Sequence, residues 1–333
     1  MKIIIILMLM ILCIGCTQQS ILSNKDIDLN ALTMINDIQT TKYANKITLK
    51  AIPFSPLGYL NQEYIIGSRI DENNNMLYIT HNMNNNEEII VASNVEYINL
   101  LDMKENQMIY YTYQRENETS NVGDCYFVLE TFNNGKFDTE EFKKIEEVEA
   151  FNLEACTKAV LDDNKIYLSY YESNGAYEDD EYILSMIDLQ TNEEIVIEQQ
   201  DVRYVEKINN LLYYIKYDRN DDVMKLMSYD IKEETKHEVM ISSFKESAQL
   251  VNIYEIQNQL IVEFDDGNKI GLYQLQKDEL LPLFAINKSS LVQIMEYNDC
   301  LRIKVTDKEN EYLYDIQKQI MYLDQYVEFV EKK

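Results

Sequence analysis

His81 and His237 are the chain's only two histidines, and each follows a strand-like run beside a polar turn. Nucleophilic catalysis through histidine, or a histidine pair on a metal, needs side chains that converge. Nothing in the spacing brings these two imidazoles together, so both read as exposed turn residues. Two acidic loops, Asp71-Glu72-Asn73-Asn74-Asn75 and Asp218-Arg219-Asn220-Asp221-Asp222, place oxygen side chains at alternate positions, as a calcium loop would. Such a loop also needs Gly at its sixth place and Glu at its twelfth. Here those places hold Met76 and Val223, then Asn82 and Tyr229, so the match fails. Glu178-Asp179-Asp180-Glu181 reads as a solvated hairpin tip. Paired carboxylates can hydrolyse glycosides, yet 58 acidic residues leave no pair to single out, and the chain has no Trp to stack on a sugar. There is no Gly-rich phosphate loop and no G-x-S-x-G elbow. The sequence nominates no catalytic residue, no metal ligand and no cofactor.

Three cysteines, Cys125, Cys156 and Cys300, lie in the body of the chain. Such a sparse, odd set is not a disulfide framework, and apolar neighbours such as Tyr126-Phe127-Val128 suit buried thiols. Pairing of Cys125 with Cys156 stays open as the alternative. The formal charge of −28 disfavours nucleic acid, which needs clustered Lys and Arg to displace counterions, so no nucleic-acid partner is expected. It also disfavours electrostatic attachment to anionic lipid.

The elements that must position any site are strands. From about Lys46 onward the chain breaks into short runs rich in Ile, Val, Tyr and Leu, such as Met108-Ile109-Tyr110-Tyr111 and Ile166-Tyr167-Leu168-Ser169-Tyr170, separated by turn residues. No segment keeps a helical period over three turns. Asn134-Gly135 and Asp266-Gly267 predict type I′ hairpins, whose central residues both take positive φ. Elsewhere Asn and Asp stand where Gly would be expected, because their short polar side chains tolerate left-handed backbone.

Two marks repeat. Asn precedes an apolar strand at Asn75, Asn106, Asn164, Asn210, Asn258 and Asn298. One strand later an apolar pair flanks a polar residue before a turn: Ile187-Asp188-Leu189, Tyr229-Asp230-Ile231, Tyr273-Gln274-Leu275 and Tyr314-Asp315-Ile316. A unit of about 40–45 residues with four short strands resembles a β-propeller blade. The Tyr-Asp-Ile-Lys type of hairpin is similar to the outer hairpins of bacterial extracytoplasmic propellers. The resemblance implies an all-β fold of six (six to seven) blades, with units near 59–94, 95–145, 148–199, 201–243, 248–287 and 290–324. In this reading Ile47–Ala51 completes the last blade, and the 26 tyrosines fill the gaps between blades. Tandem β-sandwiches are the alternative.

At the N-terminus, Met1-Lys2 precedes an apolar run from Ile3 to Ile14, then Gly15 and Cys16. This is the layout of a secretory signal, and it is too short to span a bilayer as a helix. Leu12-Cys13-Ile14-Gly15-Cys16 resembles the lipobox of bacterial lipoproteins, with Cys13 where Leu is usual. The resemblance implies a signal peptide over 1–15, with Cys16 lipidated and becoming the new N-terminus. Residues 16–45 are then expected to be a polar tether with a short helix around Leu29 to Ile38, and 46–333 the folded domain. The expectation is a non-catalytic binding or scaffold module, anchored by membrane lipid at Cys16 on the extracytoplasmic face of the cell membrane. It would recognise an envelope protein or a small ligand; the rival is a carbohydrate- or peptide-active hydrolase or lyase using acids near a propeller axis.

Overall fold

The computed structural model describes residues 21–42 and, apart from several loops, 55–325. The body is built of six sheets, each made of four strands consecutive in sequence and antiparallel. Blade 1 holds Ser55–Leu60, Tyr64–Ile70, Met76–Asn82 and Glu88–Val95; blade 2 holds Tyr97–Lys104, Gln107–Arg115, Val122–Asn133 and Lys136–Glu149. Blade 3 holds Lys158–Asp162, Lys165–Glu172, Glu181–Asp188 and Glu193–Glu198; blade 4 holds Val202–Ile208, Leu211–Asp218, Val223–Asp230 and Thr235–Ser243. Blade 5 holds Gln249–Ile256, Gln259–Asp265, Lys269–Gln276 and Glu279–Asn287; blade 6 holds Val292–Tyr297, Cys300–Val305, Asn310–Asp315 and Ile320–Gln325. First strands of successive blades touch one another, so they form the inner ring and the fourth strands form the rim. The fold is a six-bladed β-propeller, and the unit boundaries expected from the repeat fall within a few residues of the blades, except where blade 3 begins.

Side-chain alternation explains the stacking. A strand buried on both faces reads as a continuous apolar run. In the second strand of blade 2, Met108 and Tyr110 join Ile66 and Tyr78 of blade 1. The alternate residues Ile109, Tyr111 and Tyr113 join Leu161, Ile166 and Tyr170 of blade 3. The same division recurs between blades 3 and 4 (Tyr167 and Leu184 with Val205 and Tyr214), 4 and 5, and 5 and 6. Each core is therefore shared by two sheets. Rim strands of blades 1 to 5 each carry a one-residue bulge, at Val91, Phe142, Ile197, Val239 and Leu283, which increases local twist.

Both sequence marks are turns. The Asn mark is the two-residue connection between first and second strands, with positive φ at Asp163, Asn209, Gln257 and Asn258. In blade 1 it falls one strand later, since Asn75 precedes the third strand. The second mark opens the turn between third and fourth strands. Asp188 Oδ1 accepts from the backbone N–H groups of Gln190 and Thr191 at 2.9 and 3.1 Å, and Asp230 Oδ1 from those of Lys232 and Glu233 at 2.9 and 3.0 Å. These are Asx turns, and positive φ at Asn192, Glu234 and Gln319 completes them. The two marks are hydrogen-bonded to each other: Leu189 N–H donates to Asn164 O and Ile231 N–H to Asn210 O. Gly135 takes φ +79° in a two-residue hairpin, as expected. At Asp266-Gly267 only Gly267 has positive φ, and the connection runs through three residues, so it is not type I′. Here Asp266 Oδ1 accepts from Asn268 and Lys269 N–H, which favours the longer turn.

The expected polar tether is corrected by residues 21–42, which form a strap across the rims of three blades. Leu22–Ser23 pairs in parallel with Met240–Ile241 of blade 4, Met34 bridges Ala285 of blade 5, and Thr40–Lys42 pairs in parallel with Met321–Leu323 of blade 6. Between these contacts lie three short 3₁₀ turns in place of the expected helix. Leu29, Leu32 and Ile35 are buried on blade 5 and its neighbours. Leu29 sits on the bare backbone of Gly271, where a Cβ would lie 2.3 Å from its Cδ2. Asn24 is buried as a bracket: its Nδ2 donates to Ser243 O and Ala248 O, and its Oδ1 accepts from Ser243 N–H. Blade 6 already has four strands of its own, with Thr40–Lys42 added on its rim. Ile47–Ala51 lies outside the described residues.

Candidate functional site

The inner ring is where six strands converge, and between blades 3 and 4 its charges form two ion pairs. Lys158 on the first strand of blade 3 forms an ion pair with the buried Glu206 on that of blade 4. Lys207 of blade 4 returns the contact to Asp162 of blade 3 at 2.9 Å. Asp102 ties blade 2 to blade 3: its Oδ2 accepts from Leu161 N–H at 2.7 Å, and its Oδ1 from Met103 N–H. A backbone donor on a strand with one open edge needs such an acceptor. Asp102 reaches it because a bulge between Leu100 and Asp102 redirects the strand, and matching bulges occur at Arg203/Val205 and Leu250/Asn252.

Beside the ring in blade 5 stands a polar unit of a different kind. Tyr254 hydroxyl accepts from Asn252 Nδ2 at 3.0 Å and donates to Glu263 on the second strand. Burial pushes the Glu263 carboxyl above the usual carboxylate range, although the Tyr254 hydrogen bond opposes the shift. The same burial, with Glu263 beside it, drives the Tyr254 phenol far upward. In blade 2, Glu130 is likewise raised by burial, while accepting from Tyr110 and Thr139 hydroxyls at 2.9 Å each. In two further Tyr–Glu hydrogen bonds, from Tyr170 to Glu194 and from Tyr214 to Glu198, lysines also hold the carboxylate. For Glu194 burial disfavours ionisation, but Lys143 and the Tyr170 hydroxyl hold the carboxyl below its usual range; for Glu198, Lys216 and Lys236 do the same. Tyrosines thus fill the gaps between blades, as expected; the hydroxyls of Tyr110, Tyr170, Tyr214 and Tyr254 end on carboxylates, while that of Tyr78 accepts from the Leu100 backbone N–H.

The candidates weighed from sequence do not assemble. His81 lies within the third strand of blade 1 rather than in a turn, with Nδ1 3.8 Å from Glu88; His237 is exposed on the rim strand of blade 4. Both sit on strands because the turn residues near them are supplied by Asn and Glu. In Asp218–Asp222, Asp218 Oδ1 accepts from Asn220 N–H and its Oδ2 pairs with Lys225, which is turn chemistry. Asp71, Asn73–Asn75 and residues 178–180 lie outside the described residues, as do Cys16 and Cys156. Among the described residues no group of acidic, His and Cys side chains is set to hold a metal. Cys125 and Cys300 are buried thiols, and burial raises the Cys125 thiol far above its usual range. Asp102, Glu206 and Glu263 were missed. Glu263 had a signal, being a lone charge inside Leu260-Ile261-Val262-Glu263-Phe264; Asp102 and Glu206 had none among 58 acids.

No family model and no curated protein matches the sequence. Solved structures do resemble it in fold. The acylaminoacyl peptidase of Pyrococcus horikoshii superposes with a TM-score of 0.54 at 12% identity, over 82% of this chain and 45% of that one. An acylaminoacyl peptidase in complex with Z-Gly-Gly-Phe-chloromethyl ketone gives 0.57 at 10% identity, over 81% and 44%. An uncharacterised protein from Listeria monocytogenes EGD-e gives 0.51 at 12% identity, over 86% and 85%. This chain spans less than half the length of the peptidases. At such identities the likeness is one of fold alone.

Proposed function

We propose that this protein is a non-catalytic recognition platform, held by a lipidated Cys16 on the extracytoplasmic face of the membrane, which presents one propeller face to an envelope protein or a small ligand. The observation that carries the reading is the asymmetry of the two faces. On one, first and second strands of blades 2 to 6 are joined by two residues each. On the other, the strand ends Arg115 and Val122, Glu149 and Lys158, and Glu172 and Glu181 of blades 2 and 3 are separated in sequence by six, eight and eight residues. Longer connections on a rigid scaffold are where recognition is commonly carried. The inner ring supports the same reading, since Lys158, Glu206, Asp162 and Lys207 are spent on holding blades together.

The test places a photo-crosslinker at Asn220, on the long-connection face, and at Thr191, on the tight-turn face, in living cells. A discrete adduct from Asn220 and none from Thr191 supports the platform. Turnover of an oligosaccharide or peptide by the purified domain, lost in Glu263→Gln, would replace it with the hydrolase or lyase reading, which the raised Glu263 carboxyl favours. Cys16→Ser is expected to move the protein from the membrane fraction to the soluble one; unchanged fractionation with an uncleaved signal refutes the anchor.

A further inference from the structure

The strap changes where an anchored propeller can sit. Resting on the Cys16 reading, we infer that the rim of blade 4, at Ile21 and Phe244, is a lipid-facing surface that lies against the bilayer. Only residues 17–20 separate Cys16 from Ile21, so the covalent reach is at most roughly 18 Å. The strap is docked from Leu22 onward, so the leash ends at the blade 4 rim strand.

That rim carries two of the large apolar side chains left exposed among the described residues: Ile21 is 52% and Phe244 46% accessible. Leu22 pairs with Met240, which puts Ile21 level with Val239, and Phe244 follows five residues along the same edge, about 16 Å away. Phe244 packs edge-on against the Tyr217 ring, with centroids 5.8 Å apart. Local charge does not oppose lipid contact. Lys25 and Lys245 offset Asp26 and Glu246 beside the two apolar side chains, and Lys225 pairs with Asp218 and Glu238 of the same blade. An acidic propeller is repelled by an anionic bilayer over most of its surface, and a rim edge bearing apolar side chains next to lysines is the part that can approach it. A single weak apolar contact is enough once acylation holds the surfaces together.

The chain has no Trp, so one introduced Trp reports its surroundings without background. Phe244→Trp, Ile21→Trp and Ile90→Trp are each made in the full chain, purified from membranes and reconstituted into phosphatidylglycerol–phosphatidylcholine vesicles with and without brominated acyl chains. Ile90, 54% exposed on the rim of blade 1, is the control. The expected result is quenching of about two-fold at positions 244 and 21, which insertion at the headgroup–acyl boundary produces, with little at 90. Vesicle-bound protein with no quenching at 244 and 21, or equal quenching at 90, overturns the rim orientation and leaves the anchor standing. Protein that does not co-float with vesicles and carries no acyl mass on Cys16 overturns both.

Discussion

Leu29→Ala tests whether the strap is part of the folded body. Leu29 is 2% exposed, and its Cδ2 occupies the space above Gly271. Truncating a buried Leu costs about 2–5 kcal/mol when the neighbours cannot close the void. Here the floor of the void is a glycine backbone, so about 3 kcal/mol is expected, short of the upper limit because the strap can shift. Gly271→Ala alone drives a methyl to 2.3 Å from Cδ2 of Leu29 and 3.0 Å from Cδ1 of Leu32, and should cost about 1–3 kcal/mol as overpacking. Combined, the two changes compensate, since the new methyl fills part of the space Leu29 vacated. The double variant is therefore expected to be more stable than the sum of the singles by about 1–2 kcal/mol. Urea unfolding followed by tyrosine fluorescence and by circular dichroism measures all four corners of the cycle. A free tether predicts costs near zero for Leu29→Ala at every denaturant concentration. That outcome, or strict additivity, would refute docking of Leu29 on Gly271.

Other consequences are open to the same measurements. Asp188→Ala and Asp230→Ala each remove an acceptor of two backbone N–H groups and should cost about 1 kcal/mol, with Asn at either position nearly neutral in the same unfolding curves. Asp102→Ala strands the Leu161 N–H between blades 2 and 3 and should cost about 1–3 kcal/mol, with faster amide exchange at Leu161 than in the parent. Acid should weaken the Glu198 cluster. Its carboxyl is lowered in the fold, so its contribution is complete above the usual Glu value and lost as pH falls through the folded one; Glu198→Gln flattens that limb. Glu263 runs the other way: raised in the fold, it favours the folded state below its usual value and loses that advantage as pH rises through the folded one. The advantage of Glu263→Gln over the parent should therefore grow with pH, and a constant difference would show that Glu263 is not raised.

The blades were legible because each obeys local rules. Short apolar runs buried on both faces, Asn at the tight turns and Asp at the Asx turns all act within one hairpin, and the spacing of Asp188, Asp230 and Asp315 records the blade repeat. The strap was illegible for the opposite reason. Its parallel pairings involve two and three residues, too few to show a period, and its polar residues look solvated in sequence. Asn24 in particular is a turn-forming residue in sequence and a buried bracket in space, with partners more than 200 positions away. The inner ring was hidden by abundance. Asp102 and Glu206 matter through what the neighbouring blade places opposite them, and composition does not carry that. Strand positions for His81 and His237 were missed because polar turns adjoin both.

Asn24 meets Ser243 and Asn36 meets Tyr312 across separations of 219 and 276 residues. Closing such long loops is slow and unrewarded until both ends exist. During synthesis the N-terminal segment therefore leaves first and settles last, after blades 4, 5 and 6 have formed. Throughout that interval residues 21–42 have no complete rim to dock on. Completion of the last blade, which carries Met321–Leu323, then draws Thr40–Lys42 onto its rim and closes the strap.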